Sequence, residues 1–157
     1  MGASNSKVGV TDCTFCRILS GDLPGSVVFR DSRCAAFMDI HPINAGHVLV
    51  VPLGHAAQLS ALNPSTAGHI MTLAQQIAAA LRASPLRCEG VNLLLADGEA
   101  AGQEVFHVHM HVFPRYVGDG VGFSRAPASK KMAPRDQLES TAEQLRAALE
   151  RAASLAV

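Results

Sequence analysis

Residues 106–113, Phe106-His107-Val108-His109-Met110-His111-Val112-Phe113, alternate strictly between imidazole and apolar side chains. Period two belongs to a β-strand, so this segment, read as one strand over Val105–Phe113, sets His107, His109 and His111 on one face and Val108, Met110 and Val112 on the other. Buried imidazoles need hydrogen-bond partners and contribute little apolar area, so three on one face mark a site rather than packing. Same-face neighbours on a strand are roughly 6.7 Å apart, which separates His107 from His111 by about 13 Å and excludes a single ion held by all three through bonds near ~2 Å. A helix gives no rescue, because its middle imidazole points away from the other two. The role left for His109 is nucleophile or general base: a neutral imidazole whose Nδ1–H is held by a backbone carbonyl presents its Nε2 lone pair outward. Its neighbours then donate protons to phosphoryl oxygens or fix its orientation.

Outward from this segment, Val91–Leu95 reads as a partner strand, joined through the Gly-bearing stretch Asp97-Gly98-Glu99-Ala100-Ala101-Gly102 in the manner of a hairpin. Upstream, Ile70, Leu73, Ala74, Ile77 and Leu81 recur at three- and four-residue spacing and predict a helix over Ser65–Ala83, about five turns long. Val27–Arg30 and Cys34–Met38, either side of Asp31-Ser32, read as a hairpin, and His47–Pro52 is an apolar run suited to a buried strand. Phe15–Leu19 is a short helical turn closed by Ser20-Gly21-Asp22. Beyond Ser124 a basic, Pro-containing linker leads to a helix over Asp136–Ala153 with Leu138, Leu145 and Leu149 on its apolar side; its docking surface is either its own sheet or a partner subunit. The fold class is α+β, with about five strands around one long helix.

At 157 residues and 48% hydrophobic content the chain suits one domain with a substantial core. Lys plus Arg and Asp plus Glu are 13 each, for zero formal charge, so no broad basic surface exists to hold a nucleic-acid backbone, while a small anion recognised locally remains open. No signal peptide or bilayer-spanning run is present, and the expected location is cytoplasmic. Four cysteines without an export signal argue for reduced thiols or a metal site, and Cys13 and Cys16 read first as ligands. A redox pair is disfavoured because no thioredoxin-like βαβ pattern follows it. Cys34 and Cys88 read as buried fillers, and His41 and His69 as surface or turn residues. Met1-Gly2-Ala3-Ser4-Asn5-Ser6 satisfies the myristoylation pattern, but such short matches arise often by chance, and residues 1–11 read as a disordered tail.

Gly102-Gln103-Glu104-Val105 followed by the three alternating histidines resembles the histidine triad (HIT) motif. The order and spacing of Phe37-Met38-Asp39-Ile40, Gly46-His47-Val48-Leu49-Val50-Val51-Pro52, His55 and the N-terminal Cys-x-x-Cys match the same family, so the likeness spans residues 12–123, with 124–157 as linker and C-terminal helix. The resemblance implies a homodimer of five-stranded antiparallel sheets flanked by helices. It also implies cleavage of adenosine-type nucleoside phosphate derivatives, dinucleoside polyphosphates or phosphoramidates, at the α-phosphorus through a nucleotidyl-histidine intermediate. His109 is then the nucleophile, with His111 and His47 contacting phosphate or supporting it. Gly102, Gln103 and Val105 line the phosphate loop, Asp39 accepts from ribose hydroxyls, and Phe15, Phe37 and Ile40 sandwich the base. The family's similar bacterial members carry zinc, placed here on Cys13, Cys16, His55 and His107; a fully protein-ligated Cys₂His₂ set is structural, with no open position for substrate.

Two positions depart from the family's usual pattern. Ala96 stands where an amide commonly reaches phosphate or leaving group, and Glu104 where Ser or Thr usually donates to phosphate. An ionised Glu104 repels phosphate unless it is protonated, turned aside or paired with a cation. These departures keep open a slowly turning over nucleotide-binding adaptor or sensor. A redox or zinc-transfer protein centred on Cys13 and Cys16 is a third reading.

Overall fold

In the computed structural model, residues 12–122 and 132–155 are described. β1 (Val27–Arg30), β2 (Cys34–Met38), β3 (Val48–Pro52), β4 (Gly90–Leu94) and β5 (Met110–Arg115) form one sheet in the order β1-β2-β3-β5-β4. Every neighbouring pair is antiparallel. α1 (Thr14–Ser20) precedes the sheet, α2 (Pro64–Ala83) connects β3 to β4, and α3 (Arg135–Leu155) follows β5. The expected tail over residues 1–11, the myristoylation pattern within it and the linker from Ser124 to Lys131 lie outside the described residues.

The alternation of the strands divides the core in two. Cys34, Ala36, Met38, Val48, Val50, Val108, Met110 and Val112 face the helical side, where they meet Ile70, Leu73, Ile77 and Leu81 of α2 and Leu138, Ala142 and Leu145 of α3. Ala35, Phe37, Leu49 and Val51 face the other side and pack with Cys13 and Phe15 at the start of the chain. By the same parity His47, His107, His109 and His111 belong to the α1 side, which becomes the polar face of the sheet.

α2 begins as its sequence dictates: Pro64 occupies the first turn, and the Asn63 side chain accepts the Ser65 N–H at 2.9 Å. All five of its predicted apolar residues are buried. α3 docks on its own chain, against α2, β1 and β2. Leu145 is fully buried there, and a side chain of that size stabilises by about 1.5–3 kcal/mol when removed from water. Arg146 of α3 donates to the Val27 carbonyl of β1 at 2.6 Å, and its guanidinium also pairs with Glu139. At the opposite margin of the sheet, β4 carries two exposed leucines, Leu93 and Leu94.

The long final strand of the sequence reading is shortened. β5 starts at Met110, and residues 105–109 are irregular. The β3–β5 register pairs Val48 with Val112 and Val50 with Met110, and its continuation sets Pro52 opposite Val108. Pro52 has no N–H to donate, so the ladder ends, and the Val108 N–H turns to the Ala56 carbonyl at 2.7 Å. The connection between β4 and β5 is likewise no tight hairpin: it spans residues 95–109 and contains a one-turn 3-10 helix, Glu99–Ala101, closed by Gly102 at φ 93°.

Candidate functional site

The end of β5 in place of a longer strand separates the three histidines into two assemblies. His107 is drawn to the N-terminus of α1. Its Nδ1 lies 3.5 Å from the Sγ of both Cys13 and Cys16, and Cys16 Sγ lies 3.4 Å from His55 Nδ1. The four potential ligand atoms all fall within 4.8 Å of one another. His107 Nε2 sits 3.0 Å from the Pro52 carbonyl, which only accepts, so the proton is on Nε2 and the Nδ1 lone pair faces the thiols. Burial, then the neighbouring Cys13 thiol, pushes the Cys16 thiol up to about 11. Two adjacent thiolates therefore need a compensating cation. Donor set, tautomer and spacing all fit a tetrahedral zinc ion.

His109 faces a different task. Its Nδ1 is 2.7 Å from the His107 carbonyl, so Nδ1–H donates there and Nε2 keeps its lone pair. Burial lowers its pKa from the usual histidine value, opposed by the His107 carbonyl and by the charges of Asp39 and Glu104. The ring is neutral at pH 7. Phe15 packs edge-on against it with centroids 5.1 Å apart, and the His111 ring stands 4.8 Å away on another side.

His47 and His111 form a directed pair. The Ile43 N–H donates to His47 Nδ1 at 3.1 Å, which forces the His47 proton onto Nε2. That Nε2–H donates across 2.9 Å to His111 Nδ1, leaving His111 protonated on Nε2. Both rings are kept neutral: burial first, then the nearby histidines, takes His111 down to about 3, and burial takes His47 down to about 4 despite the Asp39 carboxylate. Asp39 Oδ2 lies 3.6 Å from His47 Nδ1 and 3.9 Å from His111 Nδ1, beyond hydrogen-bond range, while Oδ1 accepts the His41 N–H at 2.8 Å.

The other predicted residues gather nearby. Phe15 and Phe37 meet edge-to-face at 5.4 Å, but both are buried, and the apolar surface open to solvent is that of Ile40, 44% exposed. Gln103 is buried with its polar atoms spent on the protein: Oε1 accepts the Gly98 N–H, and Nε2 donates to the carbonyls of Ala57 and Val105. It shapes the loop that carries Gly102 and Val105. Ala96 is buried and brings no polar group, whereas Glu104 is exposed and electrostatically coupled to His109. His69 is more than a surface residue, since it links Asp31 at 2.5 Å and Arg33 at 2.8 Å and so ties α2 to the β1–β2 turn.

The sequence reading missed three contributors: the Ile43 N–H, the Pro52 carbonyl, and Asn44 with Asp119. Two are main-chain groups with no residue-type signal. Asn44 sits among the breakers of residues 41–46, where Asn reads simply as a turn former.

An α+β sheet with imidazoles collected on one face beside a Cys–His cluster defines the histidine triad class. The HIT domain profile matches residues 20–118, and the chain belongs to that family. It is 40% identical over 115 residues to an uncharacterised HIT-like protein of Borreliella burgdorferi, covering 73% of this chain and 83% of that one. Among solved structures it is similar to a zinc-bound histidine triad family protein from Mycobacterium smegmatis, with a TM-score of 0.81, 38% identity, and 94% and 99% of the two chains covered. A hypothetical histidine triad nucleotide-binding protein from Sulfolobus tokodaii gives a TM-score of 0.77 at 28% identity, covering 88% and 93%.

Proposed function

We propose that the protein is a hydrolase or nucleotidyl transferase acting at the α-phosphorus of adenosine-type nucleoside phosphate derivatives, dinucleoside polyphosphates or phosphoramidates. The observation that carries this reading is the fixed protonation pattern: a bare His109 Nε2 beside a His111 whose Nε2 bears a proton. His109 Nε2 attacks phosphorus, the bond to the leaving group breaks, and that group departs with the electron pair and takes up a proton. Water then attacks the phosphorus of the nucleotidyl-histidine, the P–N bond breaks, and His109 leaves as a neutral imidazole while the water proton passes to solvent. His111 Nε2–H stabilises the charge on a non-bridging oxygen, and His47 holds His111 in that tautomer. Asp39 takes the ribose hydroxyls, and the base rests on Ile40 with Phe15 and Phe37 beneath it. The loop of Gly102, Gln103 and Val105 wraps the phosphate.

Cys13, Cys16, His55 and His107 would hold zinc, which supplies structural cross-linking of α1 to the sheet. The β4 edge, unpaired among the described residues and carrying exposed Leu93 and Leu94, supports a homodimer. No helix among the described residues is long and apolar enough to cross a membrane.

The test is His109→Asn assayed with a fluorogenic adenosine phosphoramidate and with diadenosine polyphosphates. Turnover falls on the order of a thousandfold or more while AMP binding persists; full activity in the variant rejects the nucleophile. Buried, apolar Ala96 and acidic Glu104 favour one second reading, a nucleotide-binding adaptor or sensor, which tight AMP binding by calorimetry with negligible turnover of any derivative would establish.

A further inference from the structure

The proton placement that the chemistry needs depends on the loop between β2 and β3. Residues 42–46 carry the Ile43 N–H that fixes His47, and their inner side lines a cavity of 230 Å³ shared with Met38, Ala133, Leu138 and Thr141. The loop is tied elsewhere. Asn44 Nδ2 donates to the Pro114 carbonyl at 2.9 Å and to Asp119 Oδ2 at 3.1 Å. Asp119, its side chain 4% exposed, is itself held on several sides: it accepts from Arg115 Nε at 2.6 Å, from Arg115 Nη2 at 3.0 Å, and from the backbone N–H groups of Tyr116 and Val121. The Asn44 carbonyl accepts the His47 N–H at 3.1 Å, closing the turn onto the histidine.

A competitor waits on the same nitrogen. Asp39 Oδ2 stands 3.6 Å from His47 Nδ1 and, as a carboxylate, can only accept. Were the Ile43 N–H to draw back, His47 would place its proton on Nδ1 toward Asp39. Its Nε2 would then accept from His111 Nδ1–H, and His111 would present a bare Nε2 where a phosphoryl oxygen needs a donor. One N–H therefore sets the direction of both protons.

We propose that Asn44, anchored by Asp119, is a positioning residue: it holds the Ile43 N–H against His47 and so selects the tautomers of the His47–His111 pair. The catalytic consequence rests on the function proposed above; the tautomer selection does not. Two variants test it, Asn44→Ala and the near-isosteric Asn44→Asp, which keeps volume but removes both donors.

The primary readout is the long-range imidazole ¹H–¹⁵N spectrum of the zinc-loaded protein at neutral pH. The unaltered protein shows His47 and His111 protonated on Nε2. Both variants show a population with His111 protonated on Nδ1, and kcat for an adenosine phosphoramidate falls about tenfold with KM held within about twofold. Unchanged tautomers in both variants overturn the proposal, whatever the activity, as does an Asn44→Asp protein indistinguishable from the original in spectrum and kcat. Shifted tautomers in a protein that turns over no nucleotide substrate uphold the clamp and reject only the enzymatic reading.

Discussion

The proton between His47 and His111 belongs to His47, because the Nδ1 of that ring already accepts the Ile43 N–H and its Nε2 reaches His111 Nδ1 at 2.9 Å. A chain of single-direction hydrogen bonds thus runs from the backbone through two neutral rings to the face where His109 stands.

Acid should weaken the fold before it reaches most carboxylates. His47 and His111 titrate near 6.5 when unfolded but are held at about 4 and about 3 in the fold. The native state therefore binds fewer protons than the unfolded chain below pH 6.5, and stability falls as pH drops toward 4. Each unit of displacement is worth about 1.4 kcal/mol at a single buried site, and the adjoining rings do not contribute independently. Urea denaturation between pH 7 and 4 should show a declining midpoint, with a smaller decline in His47→Gln; a flat profile contradicts neutral burial of the pair.

Loss of the proposed zinc should loosen the start of the chain and spare the sheet. Cys13→Ser and Cys16→Ser should each lower bound zinc measured by plasma emission and reduce Tm by more than about 5 °C, and a strong chelator should do the same to the unaltered protein. A variant free of zinc with unchanged Tm would remove the structural role.

Gly46 occupies φ 99°, and a Cβ there would come within 2.8 Å of Leu86 Cδ1 and 2.9 Å of Leu81 Cδ2. Gly46→Ala should cost about 1–3 kcal/mol by denaturant titration, through left-handed backbone strain and crowding together. A loss below about 0.5 kcal/mol would mean that the loop relaxes freely.

The Glu104 carboxylate supports the basicity of His109, and an ionised carboxylate near a bound polyanion interacts with it unfavourably. Glu104→Ser should raise kcat/KM for dinucleoside polyphosphates by roughly threefold or more at low salt, with the gain shrinking as salt screens the charge. Equal or lower turnover would show that Glu104 repels nothing.

Much of this was legible from side-chain periodicity. The division of Val108, Met110 and Val112 from His107, His109 and His111 survives in the fold, as does the buried stripe of α2 from Ile70 to Leu81. Periodicity could not locate the end of β5, because that depends on what β3 offers across the sheet, and Pro52 offers no donor. Nor could it tell that Gln103 would spend its amide on the backbone, or that Asn44 would reach Pro114 and Asp119 across the chain. Main-chain partners and long-range hydrogen bonds leave no mark in residue type.

The reach of Arg146 to Val27 bears on what the β1 margin of the sheet can accept. α3 lies against β1, and Arg146 occupies the Val27 carbonyl, so a strand added at that margin has to displace this bond. In a pair joined through β4, as proposed above, that bond at the opposite margin disfavours the further strand addition that turns exposed strands into fibres.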